Sequence, residues 1–147
     1  MYKVIVVGTD GSGTANVALQ HAIELAKLSG ATLHVVHAHK TVPAHHASSV
    51  AGTVNTTAVN ADVRADSARI CADAVAIAAG DGVDATAHSG DGDAADVLMA
   101  VARDHDADVI VVGNRGMTGA RRLLGSVPNK VSHRSPCSLL IVDTGRG

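Results

Sequence analysis

Val4 to Val7, Val109 to Val112 and Leu139 to Val142 are short aliphatic runs bounded by glycine, proline or polar residues. Runs of this length and content read as strands, and Val109 to Val112 as one buried on both faces. Thr32 to Ala38 reads as a further strand, in which His34 and His37 interrupt Leu33, Val35, Val36 and Ala38. Val83 to His88 is a weaker strand, expected at a sheet edge. Between these runs the apolar positions change to helical spacing. Thr14 to Ser29 carries Ala15, Ala18, Leu19, Ala22 and Ala26 on one stripe, with Ser12 or Thr14 available as N-cap and Gly30 as the stop. Asp62 to Ala79 places Ser67, Cys71, Ala74, Val75 and Ala78 together and ends at Gly80. Asp93 to His105 aligns Ala94, Val97, Leu98, Val101 and Ala102, with Asp93 and Asp96 where acids suit the helix dipole. Ser126 to Arg134 reads as a short helix that admits Pro128 near its first turn and stops before Pro136.

The segment His39 to Asn60 has neither period and contains Pro43 and Gly52. It is expected to be a long loop over the sheet's carboxyl edge, either a lid or an insertion without a role. Strands alternating with helices imply βαβ crossovers and a parallel sheet with helices on both faces, hence an α/β fold. Five strands suggest the order 3-2-1-4-5, in a single domain spanning residues 1–147. In that order the chain reverses direction between strands one and four, and ligands bind outside the carboxyl ends of strands at such a switch point. Two glycine-containing loops, Gly8 to Gly13 and Gly113 to Gly125, both fall there.

Composition narrows the chemistry. Hydrophobic residues make up 46% of the 147, yet there is one Tyr, no Phe and no Trp, so the core must be aliphatic. A formal net charge of -2 and the missing aromatics remove both the field and the stacking platform that nucleic-acid binders use. The chain opens directly into a strand pattern, and no apolar run reaches the ~18 residues of a membrane span, so a cytoplasmic location without membrane contact is expected. Cys71 and Cys137 stand in no metal-finger or CxxC spacing and read as small hydrophobes.

The stretch from Val109 to Lys130 runs from an apolar strand through a glycine-punctuated basic loop into a helix start. Backbone N–H groups in such a loop, with a helix N-terminus behind them, face anions, and glycine lets a phosphate approach. Arg115, Arg121, Arg122 and Lys130 either neutralise that phosphate or form a solvated face. Asp10 at the end of strand one is read as contacting an adenine amino group or ribose hydroxyl, in preference to capping the first helix. A dinucleotide fingerprint fails, because Asn16 stands at the third glycine's place and no acidic residue ends strand two. A Walker-type loop and a GxSxG elbow are both missing, and Ser126 has no base at a predictable spacing, so no catalytic residue is assigned. His37, His39, His45 and His46 gather near the long loop, but no carboxylate or Cys joins them at ligand spacing. They read as solvated or edge histidines, and no metal site is expected. Asp104, Asp106 and Asp108 read as a polar turn.

Val6 to Ser12 (VVGTDGS), the motif VVGNRGM and the run LLGSVPNKVSHRSPCSLLIV together resemble the universal stress protein family in its single-domain form. The resemblance covers nearly the whole chain and implies a Rossmann-like fold of the adenine nucleotide alpha hydrolase type. Nucleotide-binding members carry Gly, two residues, Gly, nine residues, then Gly and Ser or Thr; here Gly113, Gly116, Gly125 and Ser126 occupy those roles. Only eight residues, Met117 to Leu124, separate Gly116 from Gly125, so this segment is where nucleotide preference is expected to be decided. By resemblance Gly8, Thr9 and Asp10, with His37 or Ala38, would meet adenine and ribose. Val112, Gly113, Arg115, Gly116, Gly125, Ser126 and Val127 would hold ribose and phosphates. The implied ligand is ATP or another adenine nucleotide, with or without Mg²⁺, bound by a nucleotide-responsive regulator that hydrolyses slowly if at all. The alternatives are a dimeric interaction protein whose site is vestigial or selects AMP or a cyclic nucleotide, and a slow hydrolase or adenylyl or phosphoryl transferase. The family's pairing of last strands further implies a homodimer through Leu139 to Val142.

Overall fold

The computed structural model describes residues 1–43, 55–114 and 127–145. Five strands, β1 (Val4–Gly8), β2 (Thr32–His39), β3 (Ala85–Asp91), β4 (Val109–Gly113) and β5 (Ser138–Val142), form one sheet in the order β3-β2-β1-β4-β5. Every pairing is parallel, with Ile5 opposite both Leu33 and Val109 at the centre. The described helices are α1 (Gly13–Ser29), α2 (Thr56–Gly80), α3 (Ala94–Asp104) and α4 (Val127–Arg134).

Alternation along the central strands divides the core into two layers. Ile5, Val7, Leu33, Val35, Val109 and Val111 face α1 and α2, where they meet Leu19, Ile23, Ala74 and Ala78. Val6, Val36, Ile110 and Val112 face α3 and α4, against Leu98, Met99, Ala102 and Val131. Alanine-rich helix faces let the backbones approach closely, so an aliphatic core without aromatics still fills.

Local signals set most ends. The Ser12 hydroxyl accepts from Ala15 N at α1, Asp93 caps α3 by accepting from Ala95 N, and Gly30 closes α1 in the left-handed region. The long loop requires correction: β2 runs on through His39, and α2 begins at Thr56 rather than Asp62, capped by Asn55. Asn60, expected in the loop, is helical and grips Val42 through both its backbone N–H and its carbonyl, at 2.8 and 3.0 Å. Residues 44–54 of that segment lie outside the described residues. The β3 strand is an edge strand as expected but starts at Ala85 and extends to Asp91. Asp108, read as part of a polar turn, has a more specific role. Its Oδ2 accepts from Lys3 N and Val4 N at 2.7 and 2.9 Å, fastening the start of β1 beside β4.

Candidate functional site

A cavity of about 270 Å³ opens at the carboxyl ends of β1, β2 and β4, at the point where the sheet's winding reverses. Strand ends supply Gly8, Val36, His37, Ala38, Val112 and Gly113, the β1–α1 loop supplies Thr9 and Asp10, and Val127 enters from the start of α4. Eight of the sequence-derived site residues, Gly8, Thr9, Asp10, His37, Ala38, Val112, Gly113 and Val127, therefore line one cavity. Arg115, Gly116, Gly125 and Ser126, together with Arg121 and Arg122, lie outside the described residues. The lining also includes Ala15, Val36, Ala94, Leu98 and Pro128, which the motif reading left aside. Ala94 and Leu98 were legible only as core positions of a helix; tertiary packing brings that helix end to the cavity wall.

The β1–α1 loop is held by its own side chains. Asp10 Oδ1 accepts from Ser12 N at 2.8 Å, and Thr9 Oγ1 accepts from Gly11 N at 3.2 Å. The choice for Asp10 between helix cap and cavity residue thus resolves to the cavity wall, because Ser12 caps α1 while Asp10 orders the turn before it. Gly11 sits at φ 77, and a Cβ there would come within 3.3 Å of Ile70, so α2 packs directly against this turn. Thr9 N donates to Val36 O at 2.9 Å, joining the loop to β2.

On the β2 side His37 Nδ1 lies 2.6 Å from Ser67 Oγ on α2, and Ser67 in turn meets Ser89 on β3 at 2.6 Å. His39 Nδ1 closes the same network at 3.2 Å from both hydroxyls. Burial pushes the His37 imidazole below its ordinary value, His39 adds to that, and Asp10 and Asp66 oppose it. His37 is consequently a neutral hydrogen-bonding group at neutral pH, not a fixed cation. These two histidines are partners of a buried serine, where solvated or edge positions were expected.

Across the cavity Lys130 Nζ donates to Asp93 Oδ2 at 2.8 Å, so its charge is committed to the N-cap of α3. Asn114 is likewise occupied: its Oδ1 accepts from Thr144 N and Thr144 Oγ1, both at 2.9 Å, and its Nδ2 donates to Asp143. Both cysteines are free, Cys71 buried and Cys137 half-buried. None of the described helices is long and apolar enough to cross a membrane. The cavity can therefore enclose a flat apolar ring, offer a carboxylate and a neutral imidazole at its edge, and present strand-end backbone groups around it.

Comparison with known proteins gives this geometry a lineage. The model of the universal stress protein family matches residues 1–143. Universal stress protein YxiE of Bacillus subtilis is 32% identical over 148 residues, covering 97% of this chain and 99% of the relative. Universal stress protein Rv1636 of Mycobacterium tuberculosis is 35% identical over 145 residues, covering 97% of each. Among solved structures, a universal stress protein in complex with cAMP superposes with a TM-score of 0.75 at 33% identity, covering 98% of both chains. The chain belongs to the universal stress protein family.

Proposed function

We propose that this protein binds an adenine nucleotide in the switch-point cavity and acts as a nucleotide-responsive regulator. The observation that carries the reading is the convergence of Gly8, Thr9, Asp10, His37, Ala38, Val112, Gly113 and Val127, drawn from four separate parts of the chain, on one cavity. In this reading adenine lies in the apolar part between Val36, Ala38 and Val112, with Asp10 taking its amino group or a ribose hydroxyl. Gly113, Arg115, Gly116, Gly125, Ser126 and Val127 hold ribose and phosphates. ATP is the leading ligand, from the glycine pattern after β4. A cyclic nucleotide is the second reading, favoured by the relative crystallised with cAMP. Turnover is proposed to be slow or absent, because phosphoryl transfer needs a positioned base and metal-holding carboxylates around the phosphates. The subunits are proposed to pair through β5.

The test is equilibrium binding of labelled ATP, with cAMP and AMP as competitors, on the full chain. Saturable binding that weakens in Asp10→Ala, Arg115→Ala, Gly116→Ala and Gly125→Ala supports the site, and the order of competitors selects the nucleotide. Absence of saturable binding at millimolar nucleotide, or normal affinity in all four variants, overturns it.

A further inference from the structure

Outside the cavity, on the sheet face covered by α3, three histidines from distant parts of the chain meet. His34 of β2 lies on the same face as Val36, and His88 of β3 is the register partner of Val36, so both side chains stand on the α3 side. His105, the residue that ends α3, closes over them. His34 Nδ1 and His88 Nε2 are 2.7 Å apart, and the ring centroids of the three imidazoles are separated by 4.2, 4.9 and 5.0 Å. One ring nitrogen from each lies within 4.8 Å of the other two.

We propose that His34, His88 and His105 form a three-imidazole binding site for a divalent transition ion of the zinc type. Nitrogens bonded to a tetrahedral zinc at ~2.0–2.1 Å lie about 3.3 Å from one another, inside the range of separations present here, so small side-chain rotations suffice. Imidazole is the ligand class that suits zinc, copper and nickel over magnesium or calcium. Access and rigidity are divided among the three: His34 is only 9% exposed and fixed in a central strand, His88 is half-buried, and His105 is open to solvent. The ion would enter past His105 and keep an outward coordination position for water or an anion. Asp84 beside His34 and Asp104 beside His88 place negative charge around the site, and the carboxyl end of α3 adds its dipole. No linear spacing signals the cluster, since the ligands come from positions 34, 88 and 105. The site is independent of the nucleotide reading, because none of its residues lines the cavity.

Metal-free full-length protein titrated with Zn²⁺ by calorimetry, and with Co²⁺ by visible absorption, tests the proposal. One equivalent per chain, a tetrahedral nitrogen–oxygen Co²⁺ spectrum without thiolate charge transfer, and a raised melting temperature are expected. His105→Ala and His88→Gln are each expected to weaken binding by about tenfold or more, since even losses outside the ligand set cost that much at metal sites. His105 is exposed, so its variant keeps the test available if His88→Gln does not fold. Binding unchanged in His105→Ala, a thiolate band placing the ion on cysteine, or no binding of Zn²⁺ at all overturns the site.

Discussion

Asp93 and Lys130 join the two helices on one face of the sheet: Lys130 Nζ reaches Asp93 Oδ2 at 2.8 Å while Asp93 Oδ1 caps α3 through Ala95 N at 3.1 Å. The Lys130 hydrogen bond holds the Asp93 carboxyl below its ordinary 3.8. Replacing Asp93 by Asn keeps a good cap and loses only the ion pair, expected to cost roughly 0.2–1 kcal/mol for so exposed a pair. Asp93→Ala loses both, and about 1–2 kcal/mol is expected in urea unfolding. Because the folded value is depressed, wild type's advantage over Asp93→Asn is full above the unfolded carboxylate value and disappears as acid protonates the folded carboxyl.

Asp108 makes an acid-sensitive fastening of a different kind. The backbone N–H groups of Lys3 and Val4 hold its carboxyl below the ordinary value. Asp108→Ala is expected to speed hydrogen exchange at the Val4 amide and to lower the melting temperature. In wild type the protection of the Val4 amide, taken relative to its intrinsic exchange rate at each pH, should fall as the pH drops through the depressed carboxyl value. Unchanged protection of Val4 in the variant would show that the fastening is dispensable.

Gly90 gives α3 its close approach to the β3 edge. A Cβ at Gly90 would lie 2.5 Å from Val97 Cγ1. Gly90→Ala is expected to destabilise by about 1–3 kcal/mol through overpacking. Val97→Ala in the same chain should recover part of that loss, so a double-mutant cycle reads the contact directly.

The lowered His37 value predicts a pH response. The neutral imidazole is favoured in the folded chain by burial first and by His39 second, against Asp10 and Asp66. Below the unfolded value of ~6.5 the unfolded chain takes up the proton first, so stability falls with pH until the folded imidazole also protonates. Denaturation midpoints between about pH 7.5 and 5 should therefore fall less steeply in His37→Gln than in wild type. Equal slopes would refute the assignment.

At the other sheet edge, Leu140 and Ile141 of β5 are 39% and 46% exposed. Under the proposed pairing through β5, Ile141→Lys is expected to shift the protein from dimer to monomer in sedimentation, with the fold kept. A wild-type monomer at micromolar concentration would count against the pairing.

How far the sequence carried each of these features follows from the range of the interaction behind it. Strand order, the two-sided burial of β4, the stop at Gly30 and a cap at Ser12 or Thr14 were legible, because periodicity and capping act within a few residues; that Asp93, read as an acid in the first turn, is itself the cap of α3 came from the structure. The start of α2 was not legible. Thr56, Thr57, Val59 and Asn60 are weak helix formers, and this first turn and a half is held by the Asn55 cap and by Asn60 gripping Val42, a contact eighteen positions away.

By itself, then, the sequence determined a five-stranded α/β fold and placed the ends of β1 and β4 at its switch point, since those follow from local pattern and from chain connectivity. Only the tertiary structure decided what individual polar residues do. It turned Asp108 from a turn residue into a fastening for β1, gave His37 and His39 a buried serine partner, and committed Lys130 to Asp93. It also brought His34, His88 and His105 together under the end of α3. The physical reason is that a polar side chain's role is set by its partners, and those partners come from strands and helices that meet only when the sheet is assembled.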